Sequence, residues 1–202
     1  MVEFPRQTAC FDFDPRQREK IYHVEANSRD VRLFVLGLGD QGVIFRHSTW
    51  VRCVRVGLDG SLYFSEATGA GGDGKIYRIA GERAELFYEV KLTQMHGFWA
   101  GHFDFDERGT LYLSNGNSVP SNVYVVENQV PRIITAFDNS VVGIRYVEQI
   151  TVRAEGTTVN VAKGLFFTDN SSSLYLFDLN SGKAYKIYEN TSFNWLSDVG
   201  LR

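Results

Sequence analysis

Short runs of alternating apolar and polar residues, rich in Phe, Tyr, Val and Ile, follow one another along the whole chain and are cut by Gly-, Asn- and Asp-bearing turns. FDFDERGTLYLSNGN, from Phe103 to Asn117, is one such passage: an alternating strand, a turn, an aliphatic-aromatic strand and a polar tip. Period-two alternation with turn punctuation predicts half-buried β-strands. Apolar spacing of i, i+3, i+4, i+7 does not survive the Gly and β-branched content, so helices are not expected.

The strands recur in sets. GLDGSLYFSEA from Gly57, ERGTLYLSNGN from Glu107 and KGLFFTDNSSS from Lys163 each read as turn, second strand, polar tip. A third strand follows each, GKIYRIAG, SNVYVVEN and SSLYLFDLN, whose tyrosines Tyr77, Tyr124 and Tyr175 lie 47 and 51 residues apart. A fourth comes next: AELFYEV, PRIITAF, KAYKIYEN. VRCVRVG from Val51, GHFDFD from Gly101 and VGIRYVE from Val142 precede the three sets as their opening strands. ACFDFD from Ala9, KIYHVEA, VRLFVLG and GVIFRH fit the same frame. Four strands per ~40–50-residue unit predict an all-β fold, a β-propeller of four-stranded antiparallel blades, in which each unit buries its faces against its neighbours. The expected organisation is one propeller domain over 1–202, with blades near 9–47, 51–90, 100–137 and 141–190 and an extra strand over 194–202. A β-sandwich or barrel of about sixteen strands is the alternative; repetition at blade length rather than hairpin length favours the propeller.

Composition narrows the function. Hydrophobic residues make up 44% and charged residues 22%, ordinary for a globular chain, while the 14% aromatic share suits pleated surfaces. A net charge of −3 excludes a broad nucleic-acid footprint. No apolar run approaches the ~20 residues of a membrane helix. MVEFPRQTACFDFD lacks a signal-peptide core, and two cysteines are too few for a disulfide framework. The expectation is therefore a cytoplasmic protein with Cys10 and Cys53 as buried thiols.

GTLYLSNGN, GSLYFSEA and above all FFTDNSSSLYLFDLNSGK, Phe166 to Lys183, resemble blades of the senescence-marker-protein/gluconolactonase-like, strictosidine-synthase-like and NHL-repeat propellers. The resemblance covers most of residues 50 to 200. Those families generally have six blades, so it implies a smaller propeller, a piece of a larger one, or one completed by a second chain. An open arc would leave two unpaired sheet edges and self-associate as a homo-oligomer. The resemblance further implies a small-molecule site at the channel mouth, with a divalent cation (Ca or Mg) on hard oxygen ligands and lactone or ester hydrolysis. The matching metal positions are Asn139 and Asp198, each near the start of an opening strand.

Aligning the opening strands puts Cys10, Cys53 and His102 at one position, and Asp12, Arg55 and Asp104 two residues on. The first trio has zinc-ligand types, although equivalent positions need not converge and free cysteine is usually core. The second reads as alternating charge around a channel, and Arg55 and Asp12 are ligand-contact candidates; an ion-pair ring explains the same pattern. QMHGFWAGH, Gln94 to His102, is the least blade-like segment. His96 and His102 there are the proton-transfer candidates with Asp104 as the acid, and Trp99 is a ligand contact. A loop packing Trp99 over a blade seam is the plainer account. EATGAGGDGK has no GKS/T end and no following helix, which excludes a phosphate loop. There is no HExxH pair and no Gly-x-Ser-x-Gly elbow. A non-catalytic propeller scaffold remains the alternative to a small-molecule site.

Overall fold

The aromatic alternation is realised as strands in the computed structural model, which describes residues 8–66, 74–91, 101–116, 120–154, 156–169 and 173–189. The described residues contain sixteen strands and no helix. The strands form four antiparallel four-stranded sheets, each in chain order, and the fold class is a four-blade β-propeller. The region expected to supply an extra strand, 194–202, lies outside the described residues. By contact density the chain divides into two compact units, Met1–Gly101 and His102–Leu201, each holding two blades.

In the first unit, β1 (Thr8–Phe13), β2 (Lys20–Glu25), β3 (Asp30–Val35) and β4 (Gly39–Arg46) make blade 1. Blade 2 is β5 (Val51–Val56), β6 (Leu62–Glu66), β7 (Gly74–Ala80) and β8 (Arg83–Val90). Their seam is a core of Val24, Val31 and Phe45 against Val51, Val54 and Phe64. Each such fully buried side chain contributes about 1.5–3 kcal/mol.

In the second unit, β9 (Phe103–Phe105), β10 (Leu111–Ser114), β11 (Ser121–Glu127) and β12 (Val130–Phe137) make blade 3. Blade 4 is β13 (Val141–Ala154), β14 (Thr157–Asp169), β15 (Ser173–Asp178) and β16 (Lys183–Glu189). Their seam packs Tyr112, Val123 and Val125 against Val141, Ile144, Leu165, Phe167 and Phe177. Gly60 (φ +76°) and Gly109 (φ +80°) close matching turns in the two units, in the left-handed conformation that glycine adopts without strain.

Two features differ from the sequence expectations. The motifs end the opening strand of blade 4 at Glu148 and begin the next at Lys163, yet both strands run on as one long hairpin paired from Val147↔Gly164 to Ala154↔Thr157. Alternation puts Phe166 and Leu176 on the face opposite Leu165, Phe167 and Phe177. The hairpin extension packs Val147, Ile150, Val152 and Val159 against that opposite face. Gln149, at φ +47° within β13, marks a sharp local departure from strand geometry in this extension. The second difference is covalent. Cys10 on β1 and Cys53 on β5 are joined as a disulfide, Cα atoms 5.0 Å apart, so they are not buried thiols, nor thiolates free to hold zinc. The positions that the motif alignment made equivalent on the two opening strands lie side by side, which a count of two cysteines does not reveal.

The disulfide closes a loop with a sequence separation of 43 residues. Cys53→Ser should therefore cost about 2–4 kcal/mol in urea unfolding. Dithiothreitol should lower the wild-type midpoint toward that of the variant and leave the variant unmoved. Two titratable thiols in the unreduced, denatured chain would show that the bond does not form.

Candidate functional site

The opening strands of neighbouring blades are joined by a carboxylate in each unit. Asp12 Oδ2 accepts the Val56 amide at 2.8 Å, and Asp104 Oδ2 accepts the Tyr146 amide at 2.7 Å. Both aspartates are buried. Arg55 is wholly buried; its Nη1 donates to the carbonyls of Phe11 at 3.1 Å and Val54 at 3.0 Å and lies 2.9 Å from Cys10 Sγ. Register places Arg145, also buried, at the same position of the second unit. Asp12, Arg55 and Asp104 thus sit within the inter-strand framework. Arg145 completes the pattern, and IRYV set beside VRVG carries the signal for it.

His102 is buried immediately before β9, where its carbonyl accepts the Ser114 amide at 3.2 Å. His96, Trp99 and Asp198 lie outside the described residues.

Asn139 does meet an acid. Its Nδ2 donates to Asp169 Oδ2 at 3.2 Å, while Asp169 Oδ1 accepts the Ser173 amide at 2.8 Å. β12 ends at Phe137, β13 begins at Val141, β14 ends at Asp169 and β15 begins at Ser173, so strand ends converge here. They enclose a cavity of about 200 Å³ lined by Phe137, Asp138, Asn139, Phe167, Asp169 and Tyr175, with Val141 and Thr168 completing it. Asp169 is 2% exposed and forms part of the floor; Asp138 and Asn139 stand exposed at the rim. Phe137 meets Phe167 edge-on at 4.7 Å and Tyr175 at 5.8 Å. Asp169 and Tyr175 fall within FFTDNSSSLYLFD, where the sequence reading used them as blade markers.

The first unit offers a control. Val51↔Glu66 and Phe64↔Tyr77 occupy the register places of Val141↔Asp169 and Phe167↔Tyr175. His47, four residues before Val51 as Phe137 is four before Val141, packs on Phe64 and Tyr77, both at 4.9 Å. Tyr77 donates to Glu66 Oε2 at 2.9 Å, and His47 Nε2 lies 3.9 Å from the same oxygen. Burial, opposed by Glu66, holds the His47 imidazole below its ordinary range. Burial, then the bond to Glu66, pushes the Tyr77 phenol up to about 12. The same scaffold position thus carries a titratable His–Glu–Tyr cluster in one unit and an aromatic-walled acidic pocket in the other.

A third cluster lies near the middle of β13 and β14. Glu107 accepts the Tyr146 hydroxyl at 2.5 Å and the Lys163 ammonium, with Arg108 at 3.8 Å. The Lys163 bond first, then the Tyr146 bond, holds the Glu107 carboxyl at about 2. Burial, then the bond to Glu107, raises the Tyr146 phenol. These partners tie the β9–β10 turn to blade 4.

No family model and no curated protein matches the chain. Solved structures do. A chain of a nidogen/laminin complex aligns with a TM-score of 0.58 at 15% identity, over 91% of this chain and 80% of its own length. A glucose dehydrogenase aligns at 0.54 and 11% identity, over 94% and 89%. A gluconolactonase from Xanthomonas campestris aligns at 0.52 and 13% identity, over 92% of this chain, which spans 62% of the gluconolactonase. Likeness at these identities establishes the fold and leaves the chemistry to the residues.

Two outcomes follow. Asp104→Ala strands the buried Tyr146 amide and should cost about 1–3 kcal/mol in urea, with Asp104→Asn milder because an acceptor remains. Glu107 has a depressed carboxyl, so its contribution is complete above the unfolded value of about 4.3 and is lost as pH falls through about 2. Glu107→Gln should therefore be less stable than wild type at pH 6, with the difference closing as pH falls toward 2 in acid-unfolding curves. A gap that stays constant with pH would remove the ionic part of this network.

Proposed function

We propose that this chain is a small-molecule-binding β-propeller whose ligand seat is the strand-end cavity of the second unit. The observation that carries the reading is the meeting of Asn139 with the buried Asp169 carboxylate at the floor and rim of a cavity walled by Phe137, Phe167 and Tyr175. A few converging polar groups in an aromatic-walled concavity are what ligand sites offer.

Hydrolysis of a lactone or ester is the catalytic form of this reading. It is supported by the sequence resemblance and by the shared fold with a gluconolactonase. The residues present fit a hard cation: the Asn139 amide and the Asp138 and Asp169 carboxylates are oxygen ligands suited to Ca or Mg. Such an ion would polarise the scissile carbonyl. Asn139 and Asp169 would orient the substrate, and the three rings would exclude water from one side. The Cys10–Cys53 disulfide favours an oxidising compartment over the cytoplasm expected from composition. No helix among the described residues is long and apolar enough to cross a membrane.

A scaffold role is the second reading. It is favoured by apolar side chains that outer strands leave exposed: Leu86 and Phe87 on β8, Val130 and Ile133 on β12.

Calorimetric titration with a panel of small lactones and esters, with and without Ca or Mg, separates these. The proposal expects binding that Asp169→Asn weakens about tenfold, the worth of one charge-assisted contact. It expects cation-dependent turnover if the site is hydrolytic. No binding by any of the panel, with the fold intact by circular dichroism, would favour the scaffold.

A further inference from the structure

The first unit places a titratable ring where the second places Phe137. We propose that His47, Glu66 and Tyr77 form a proton-sensitive latch, which seats the β4–β5 connection on blade 2 at neutral pH and releases it on mild acidification.

The connection runs from the end of β4 at Arg46 to the start of β5 at Val51. Its two ends hang on the β2–β3 turn: the His47 amide donates to the Arg29 carbonyl at 2.8 Å, and the Val51 amide to the Ser28 carbonyl at 2.9 Å. The His47 ring is its grip on blade 2. The ring meets Phe64 on β6 and Tyr77 on β7, each at 4.9 Å, and stacks on Phe45 of β4 at 6.4 Å. Its side chain is 12% exposed, whereas Ser48 and Trp50 further along are exposed. His47 is thus packed as an aromatic residue, largely out of water.

The surrounding charges decide what a proton does there. From β6, Glu66 Oε2 lies 3.9 Å from His47 Nε2, beyond direct hydrogen-bond length, and the same oxygen already accepts the Tyr77 hydroxyl at 2.9 Å. From β7, Lys75 sits across from Glu66, and from β8, Glu89 sits across from Lys75. Arg46 of β4 is held by Asp30 of β3 at 2.7 and 2.9 Å. β5 brings Val51 and Val54 to this seam. An imidazolium would therefore gain a shared and distant carboxylate, meet Lys75 as a like charge, and lose water. Burial outweighs the pull of Glu66 and holds the seated ring below its ordinary range. A released, solvated ring titrates near 6.5. Because the seated ring binds its proton more weakly, the seated form has its full advantage above about 6.5 and loses it as pH falls toward the seated value. Release would uncover Phe64, Tyr77 and the Glu66 carboxylate.

The second unit shows what the position tolerates. Phe137 stands at the same place and packs on Phe167 and Tyr175 at 4.7 and 5.8 Å. A phenyl ring fits this scaffold without titrating, so His47→Phe keeps an aromatic grip and removes the proton.

Amide hydrogen exchange at His47 and Val51 of the full chain, corrected for intrinsic rates between pH 5 and 8, tests the latch. The local readout matters because His23, in the same unit, is also lowered by burial. Wild type should lose protection at both amides as pH falls below about 6.5, by up to about tenfold per pH unit, until the ring is protonated in both states. His47→Phe should hold its protection constant. Glu66→Gln removes the charge that favours the imidazolium and should deepen the loss. Nuclear magnetic resonance titration of the His47 ring in the wild-type chain gives a reading that needs no variant, and its midpoint should fall below about 6.5. Protection that is flat or rises on acidification, a loss that persists in His47→Phe, a smaller loss in Glu66→Gln, or a ring midpoint at or above about 6.5 would each overturn the latch.

Discussion

A backbone amide buried between two blades has to find an acceptor, and in this protein an aspartate from the neighbouring opening strand supplies it. Asp12 does so for Val56 and Asp104 for Tyr146, at 2.8 and 2.7 Å. Strand pairing stops at the edge of each sheet, so blades meet through side-chain packing, the Cys10–Cys53 disulfide and single contacts such as Arg55 on the Phe11 carbonyl. Packing alone tolerates sliding; a charged acceptor aimed at one amide does not. The contact therefore fixes how far β5 advances along β1 and β13 along β9. Everything at the strand ends, including the place where Asn139 meets Asp169, inherits that register.

Much of this was legible from the sequence. The FDFD repeats contain the aspartates, and the 47- and 51-residue recurrence of tyrosines set the blades, because a blade must return the same face to the same seam. The pairing of Asn139 with an acid was not. Asp169 reads as part of a β-blade motif, and only the closing of β14 against β13 shows that it lies beneath Asn139. The disulfide escaped although the aligned opening strands put Cys10 and Cys53 at one position, because equivalent positions on successive blades were not expected to converge. The long hairpin of blade 4 escaped for a different reason. ITVRAEGTTVNVAK alternates like any strand pair, but it lacks the aromatic residues by which the other strands were recognised.

The two units share one plan and differ where chemistry is placed. Asp12 and Asp104 correspond, as do Arg55 and Arg145, Tyr77 and Tyr175, Phe64 and Phe167. Against that constancy, the pair His47 and Glu66 becomes Phe137 and Asp169, and Cys53 becomes Gly143. The first unit has a covalent tie and a His47–Glu66–Tyr77 cluster at its variable positions. The second packs Phe137 on Phe167 and Tyr175 there, and its acid, Asp169, accepts from Asn139 and the Ser173 amide. Scaffold residues hold both units to the same geometry, so the divergent positions are where a difference in function resides.

Amide hydrogen exchange at Tyr146 tests this account most directly. It predicts that Asp104→Ala speeds exchange at Tyr146 beyond its effect on the other amides of β13. Equal protection of Tyr146 in the wild type and the variant would contradict it.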